Sequence, residues 1–162
     1  MFEYFYNEIF RSVIIGFGSL FNGIEIKKGD SIIKVPLAYG PTQKFLARMQ
    51  QEADLNKPVS ITLPRMSFEF LGLQYDSTRK STQTQTIINQ TPDGANVKRN
   101  YLPVPYNIRF ELSIMTKLND DMLQIIEQIL PYFQPAYQLP INFLGNLKEK
   151  RDVPINLSLI HI

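Results

Sequence analysis

DDMLQIIEQILPYFQP, Asp120 to Pro135, followed closely by KRDVPI at Lys150 to Ile155, reads as a helix that runs into a proline-bounded corner. Asn119 is a good N-cap, and Asp120 and Asp121 in the first turn oppose the positive end of the helix dipole. Met122, Ile125, Ile126, Ile129 and Leu130 recur at i, i+3, i+4, i+7 and i+8, one face of an α-helix. Gln124, Glu127 and Gln128 fall on the other face. Pro131 stops the helix at about Leu130. Tyr132 and Phe133 then sit between Pro131 and Pro135. The two aspartates could instead be a carboxylate pair for a metal or a general base. No His, Cys or third carboxylate lies nearby, so capping is the reading adopted. The best-specified stretch of the chain is therefore a packing device, which points to an architectural role.

Working outward, 162 residues are most simply one domain able to bury roughly 70% of its unfolded surface. Hydrophobic residues make up 44% and charged residues 20%, a composition that folds. A net charge of +2 and a pI near 8.8 do not demand nucleic acid or an anionic membrane as partner. With no cysteine, disulfides and cysteine-ligated metals are excluded. The single histidine, His161, is penultimate, and no nucleophile motif or metal-ligand spacing occurs, so no catalytic residue and no cofactor is assigned.

The N-terminus, MFEYFYNEIF, lacks a basic n-region and carries Glu3 and Glu8, unlike a signal peptide. Phe10, Val13, Ile14, Phe17, Leu20 and Phe21 predict a helix from about Tyr6 to Phe21 packed on a sheet. Gly16 and Gly18 within it suggest close approach of another backbone. Gly16-Phe17-Gly18 is no dinucleotide fingerprint, because it lies inside a helical pattern. Ile24–Lys28 and Ser31–Val35 flank Gly29-Asp30 as a hairpin. Residues Pro41–Glu52 read as a helix burying Phe45, Leu46 and Met49. Val59–Leu63, Met66–Tyr75 and Tyr106–Thr116 read as strands by alternation. The polar Ser77–Asn100 segment, with a Pro92-Asp93-Gly94 turn signal, is either an extended hairpin holding a strand at Thr84–Ile88 or an arm ordered by a partner. Gln138–Leu144, a Gly145 turn and a strand from about Val153 close the chain.

This order predicts an α+β fold: a mixed, mainly antiparallel sheet flanked by about three helices, in a single 1–162 domain with an insertion at about 77–100. Pro36, Pro64, Pro105, Pro140 and Pro154 recur where strands begin or end. They mark turns or control which edges accept another strand.

FEYFYNEIFR (Phe2–Arg11), KVPLAYGPTQKFLAR (Lys34–Arg48), ITLPRMSFEF (Ile61–Phe70), PVPYNIRFELSIM (Pro103–Met115), DDMLQIIEQILPYFQP and KRDVPI together resemble the tail sheath stabiliser (tail completion, sheath terminator) family of contractile-tailed bacteriophages of the large myovirus type. They occur in the family's order over nearly the whole chain. The resemblance implies a tail-terminator-like domain in a six-fold ring at the head-proximal end of the tail, assembled in the bacterial cytoplasm. The expected partners are further copies of the chain, the tail sheath protein, the tube terminator and the neck or connector proteins. No enzymatic activity, membrane or cofactor is expected. The alternative is a neck or connector adaptor, or a tube terminator, that contacts nucleic acid; scattered and balanced charges weigh against it.

Tyr132, Phe133, Lys148, Lys150, Arg151, Asp152, Ile155 and Leu157 are the candidate subunit or partner interface. Asp152–Leu159, with Pro154 marking its start, is the first candidate for an edge that accepts a strand from a sheath subunit. Relatives are expected to continue past KRDVPI with further strands, whereas this chain stops at Ile162.

Overall fold

A computed structural model of the chain describes residues 4, 6–51, 62–82, 84–90, 97–144 and 149–158. In chain order these form α1 (Ile9–Phe21), β1 (Glu25–Lys28), β2 (Ser31–Lys34), β3 (Leu37–Tyr39), α2 (Thr42–Gln51), β4 (Arg65–Tyr75), β5 (Thr86–Gln90), β6 (Val97–Tyr101) and β7 (Tyr106–Met115). Then come α3 (Asn119–Ile129), a 3-10 turn (Leu130–Tyr132), β8 (Ala136–Leu144) and β9 (Glu149–Asn156). The fold is α+β. Its strands are divided among the antiparallel hairpins β1–β2, β5–β6 and β8–β9 and a mixed sheet of order β3-β4-β7. In the mixed sheet β3 runs parallel to β4, and β4 antiparallel to β7.

Alternation places Met66 and Phe68 of β4 and Phe110, Leu112 and Ile114 of β7 on one face, and α1 covers it. Phe17 of α1 stacks on Phe110 with ring centroids 4.4 Å apart and tilts against Phe68 at 5.4 Å. Phe21, Ile24, Ile26, Val35, Ile125 and Ile129 complete the core. The two helix glycines serve opposite sides of α1, being two residues (about 200°) apart. A Cβ on Gly16 would stand 3.1 Å from Leu139 Cδ2 of β8, and one on Gly18 would stand 2.9 Å from Phe68 Cζ. What comes close is therefore side chains from two sheets, not a second backbone. Helix α1 is held between them.

Several sequence expectations need correction. Asn119 does not cap α3: the cap position is Leu118, in extended conformation and without a side-chain bond. Ile125 and Ile129 are buried and Ile126 packs on the core, yet Leu130 is exposed, because the chain leaves the α-helix for the 3-10 turn at that residue. Leu46 is exposed although Phe45 beside it is buried. On α1, which starts at Ile9, Phe10 is exposed. Pro36, Pro64 and Pro105 flank strands as expected, whereas Pro140 and Pro154 lie inside β8 and β9. The Leu63–Pro64 and Gln134–Pro135 peptides are cis. Thr62 and Leu63 are outside any strand; the rest of the expected Val59–Leu63 strand lies outside the described residues, as do the Pro92-Asp93-Gly94 and Gly145 turns. Thr86–Gln90 and Val97–Tyr101 pair with each other, so the polar segment contains a hairpin.

Candidate assembly surfaces

A protein that assembles through sheets must control its strand edges, since each edge presents unpaired N–H and C=O groups. In the β1–β2 hairpin, Gly29 adopts φ 62° at the first turn position, as a two-residue turn of this kind requires. Val35 N–H donates to Ile24 C=O at 2.9 Å. Counting back along the register from that bonded pair, the N–H and C=O groups of Glu25 and Lys27 face away from β2. Helix α3 meets them there. Gln124 Oε1 accepts from Lys27 N–H at 2.8 Å, and its Nε2 donates to Lys27 C=O at 3.3 Å. Gln128 Nε2 donates to Glu25 C=O at 2.7 Å, and its Oε1 accepts from Glu25 N–H at 3.4 Å. Two amides one helical turn apart thus occupy two alternate residues of a strand and seal its edge.

Gln124 and Gln128 therefore do not simply face water. The sequence did not show this: their i, i+4 spacing is visible, but the strand they meet lies about a hundred residues earlier. Beside them Asp121, 3% exposed, accepts from Lys28 Nζ at 2.9 Å. That carboxylate fastens α3 to the hairpin in addition to sitting in the first turn of the helix.

The β8–β9 ribbon treats its edges differently. Pro140 lies opposite Asp152, and Pro154 opposite Gln138. Both prolines share one phase of the ladder. Having no N–H to exchange, they belong to the pairs whose backbone groups point away from the partner strand. Each outer edge of the ribbon thus lacks a donor near its middle. The Asp152–Leu159 edge proposed from sequence is corrected accordingly. The strand begins at Glu149, Pro154 interrupts its outer edge, and Leu157 follows the strand's end.

Among the described residues the outer edges of β7 and β2 carry neither device. Met66 N–H donates to Pro36 C=O at 2.9 Å, away from β7. By register, Ile114, Leu112 and Phe110 of β7 then direct their backbone groups to the outside of the sheet. Among the described residues nothing pairs with that edge, nor with the outer edge of β2. On the face of the sheet away from α1, Glu69 and Glu111 stand directly opposite each other, half-buried. Among the described residues neither has a cationic partner. Ser113 donates to Glu111 at 3.4 Å and accepts from Thr42 at 2.7 Å. Ser67 Oγ, buried beside them, has no partner among the described residues.

At a bulge between Phe70 and Gly72, Leu71 is exposed, and beyond it the β4–β7 ribbon continues with Leu73, Tyr75 and Tyr106 exposed. Phe70, Leu73 and Ile108 there form an open apolar groove with Phe10 and Ile14 of α1. A polar knot closes the ribbon's end. Asp76 accepts from the Thr78 hydroxyl and N–H and from Arg79, and Arg79 also donates to Asn107. The Thr78 hydroxyl first, and then the Arg79 guanidinium, hold the Asp76 carboxyl down to about 2.

The described residues among those singled out from sequence lie in or just after the 3-10 turn and in or just after β9. Tyr132 is 65% exposed in the 3-10 turn. Phe133 is half-buried, stacked on Phe21 with centroids 6.3 Å apart and tilted against Tyr137. Ile155 packs on the core, Arg151 and Leu157 are half-buried, and Asp152 is exposed. Lys150 is in β9, opposite Asn142. Lys148 lies outside the described residues. Among the described residues no group of three or more His, Cys, Asp or Glu is placed to hold a metal ion, and no helix is long and apolar enough to cross a membrane.

Comparison with known proteins adds two findings. Residues 4–162 match the family described as T4-like virus Myoviridae tail sheath stabiliser. The chain is also 35% identical over 171 residues to the tail completion protein gp15 of enterobacteria phage T4, an alignment covering 97% of this chain. It spans 61% of the length of that relative.

Proposed function

This chain belongs to the tail sheath stabiliser family of T4-like Myoviridae, and on that premise we propose that it forms a ring closing the head-proximal end of a contractile tail. Residues 1–162 act as one tail-terminator-like domain, with the β5–β6 hairpin as an insertion. The ring has six-fold symmetry, matching the sheath it covers. It contacts the last sheath ring, the tube terminator and the neck proteins that join tail to head. Its work is mechanical. An extended sheath is metastable, so its open end needs a cap that binds the extended arrangement more tightly than the contracted one. Several modest contacts in a ring act together through effective concentration, and none has to be strong alone.

The observation that carries this reading is the family match over nearly the whole chain. The edge chemistry supports it. A subunit that seals β1 with glutamines and interrupts β8 and β9 with prolines limits which strands another chain can pair with. The test is particle morphology. Phage assembled without this polypeptide should yield tails with contracted or overgrown sheaths separated from heads. Long, uncontracted tails joined to full heads would refute the cap.

A further inference from the structure

Building on the ring reading, we propose how neighbouring copies join: β2 of one copy adds as a parallel strand to the outer edge of β7 of the next, making a continuous sheet β1-β2-β7-β4-β3 across the subunit boundary. Backbone phase supports the pairing. On β2, Ile32 and Lys34 are the residues whose N–H and C=O point outward, opposite Lys27 and Glu25 in the register. On β7 the outward groups are those of Phe110, Leu112 and Ile114. Neither stretch contains proline, and neither is bonded along that edge among the described residues. Every residue of β2 is exposed, and Ile32 is 69% exposed. An exposed strand bearing Ile32 and Ile33 is an aggregation hazard unless something covers it.

The side chains match as well. In β2, Ile33 lies on the core face with Ile26, whereas Ile32 and Lys34 lie on the opposite face. In β7, Leu112 lies on the core face, whereas Glu111 lies opposite. In a parallel ladder a residue bonded to one neighbour stands opposite a residue bonded the other way, so joining the sheets with their apolar faces continuous sets Ile33, which bonds to β1, beside Leu112 and Phe110, which bond outward. The same alignment brings Lys34 to the side where Glu69 and Glu111 face each other without a cation. Like charges directly across a ladder repel, and an incoming lysine converts that repulsion into attraction. The contact is heterologous: β2 meets β7, never β2 itself. Such a contact closes into a ring when its rotation divides a full turn.

The test uses the purified chain, followed by sedimentation velocity and amide hydrogen exchange. Assembly should slow exchange at Phe110, Leu112, Ile114, Ile32 and Lys34. Ile32→Pro removes a donor that points away from β1, so the hairpin persists while self-association weakens about tenfold. Lys34→Glu and Glu111→Lys should each weaken it about tenfold, and the double exchange should restore it to within about threefold. The double exchange protects the test against a misfolded proline variant. An Ile32→Pro chain that assembles like wild type, a double exchange that fails to restore, or protection appearing on β5–β6 instead would overturn this interface and leave the ring standing. A wild-type chain that stays monomeric would overturn it too, while particle morphology would still decide the cap.

Discussion

The β4–β7 ribbon has two halves that differ in everything except their sequence pattern. In the half before the bulge, Met66 is 0% exposed and Ser67, Phe68, Ser113 and Ile114 are buried. From the bulge residue onward, Leu71 is 55% exposed, and Leu73, Tyr75 and Tyr106 are exposed with it. Helix α1 lies over the first half, and its N-terminal end reaches only the start of the second. The first half supplies folding free energy. The second keeps apolar surface that the monomer does not use. Apolar alternation therefore identifies a face of a strand without saying whether the same chain covers it.

The largest expected effect breaks the covered half. Met66→Asp places an unpaired charge at a fully buried site and should cost about 4 kcal/mol or more, most of a typical domain's stability. Chemical denaturation or loss of soluble expression would register it. Next comes the sealed hairpin edge. Replacing Gln124 and Gln128 together by Ala should cost about 2 kcal/mol, because four backbone–amide bonds to β1 go at once. Hydrogen exchange should rise first at Glu25 and Lys27. Gly18→Ala follows, at about 1 kcal/mol net. The gain in helix propensity is outweighed by the clash with Phe68, whose ring is too well packed to yield freely.

How much of this was legible in the sequence follows from the range of the interactions involved. The helix that Pro131 stops near Leu130, the Gly29-Asp30 hairpin and the strand from Tyr106 are set by nearest neighbours, and they stand where periodicity and turn chemistry put them. The parallel strand β3 was not foreseen, because Leu37–Tyr39 is too short to show a period and is recruited by β4. Asn119 looked like a cap because its residue type suits one, yet the helix starts one residue earlier in register. The candidate surface was the least legible part. Gln124 and Gln128 are ordinary helix-surface residues until β1 is laid beside them. Pro154 looked like the start of a strand until its pairing with Gln138 placed it inside one.

The uncovered half of the ribbon makes the mirror-image prediction to Met66→Asp. Leu71→Asp, on the same strand, should change stability by about 0.5 kcal/mol or less, because the side chain already meets water. Equal costs at the two positions, measured by the same denaturation curves, would erase the distinction between the halves.

The smallest effect concerns what orders the uncovered half in place of burial. The Asp76 anion is bonded by Thr78 and Arg79, which lowers its carboxyl from the ordinary 3.8 to about 2. A depressed carboxylate stabilises above its unfolded value and loses that contribution as pH falls through the folded one. The knot should therefore be unchanged from neutral pH down to about 4 and open only as pH drops from there toward 2. A carboxyl-carbon NMR titration of Asp76 would show it, with Thr78 N–H exchange rising over the same interval. A midpoint near 3.8 would mean that the knot is absent in solution. High salt separates the halves in the same way. At about 1 M salt the screening length falls to about 3 Å, so a contact such as Arg79 to Asp76 weakens, whereas the Phe17, Phe68 and Phe110 cluster under α1 carries no charge to screen. Salt should therefore loosen the distal end while leaving the buried end unchanged.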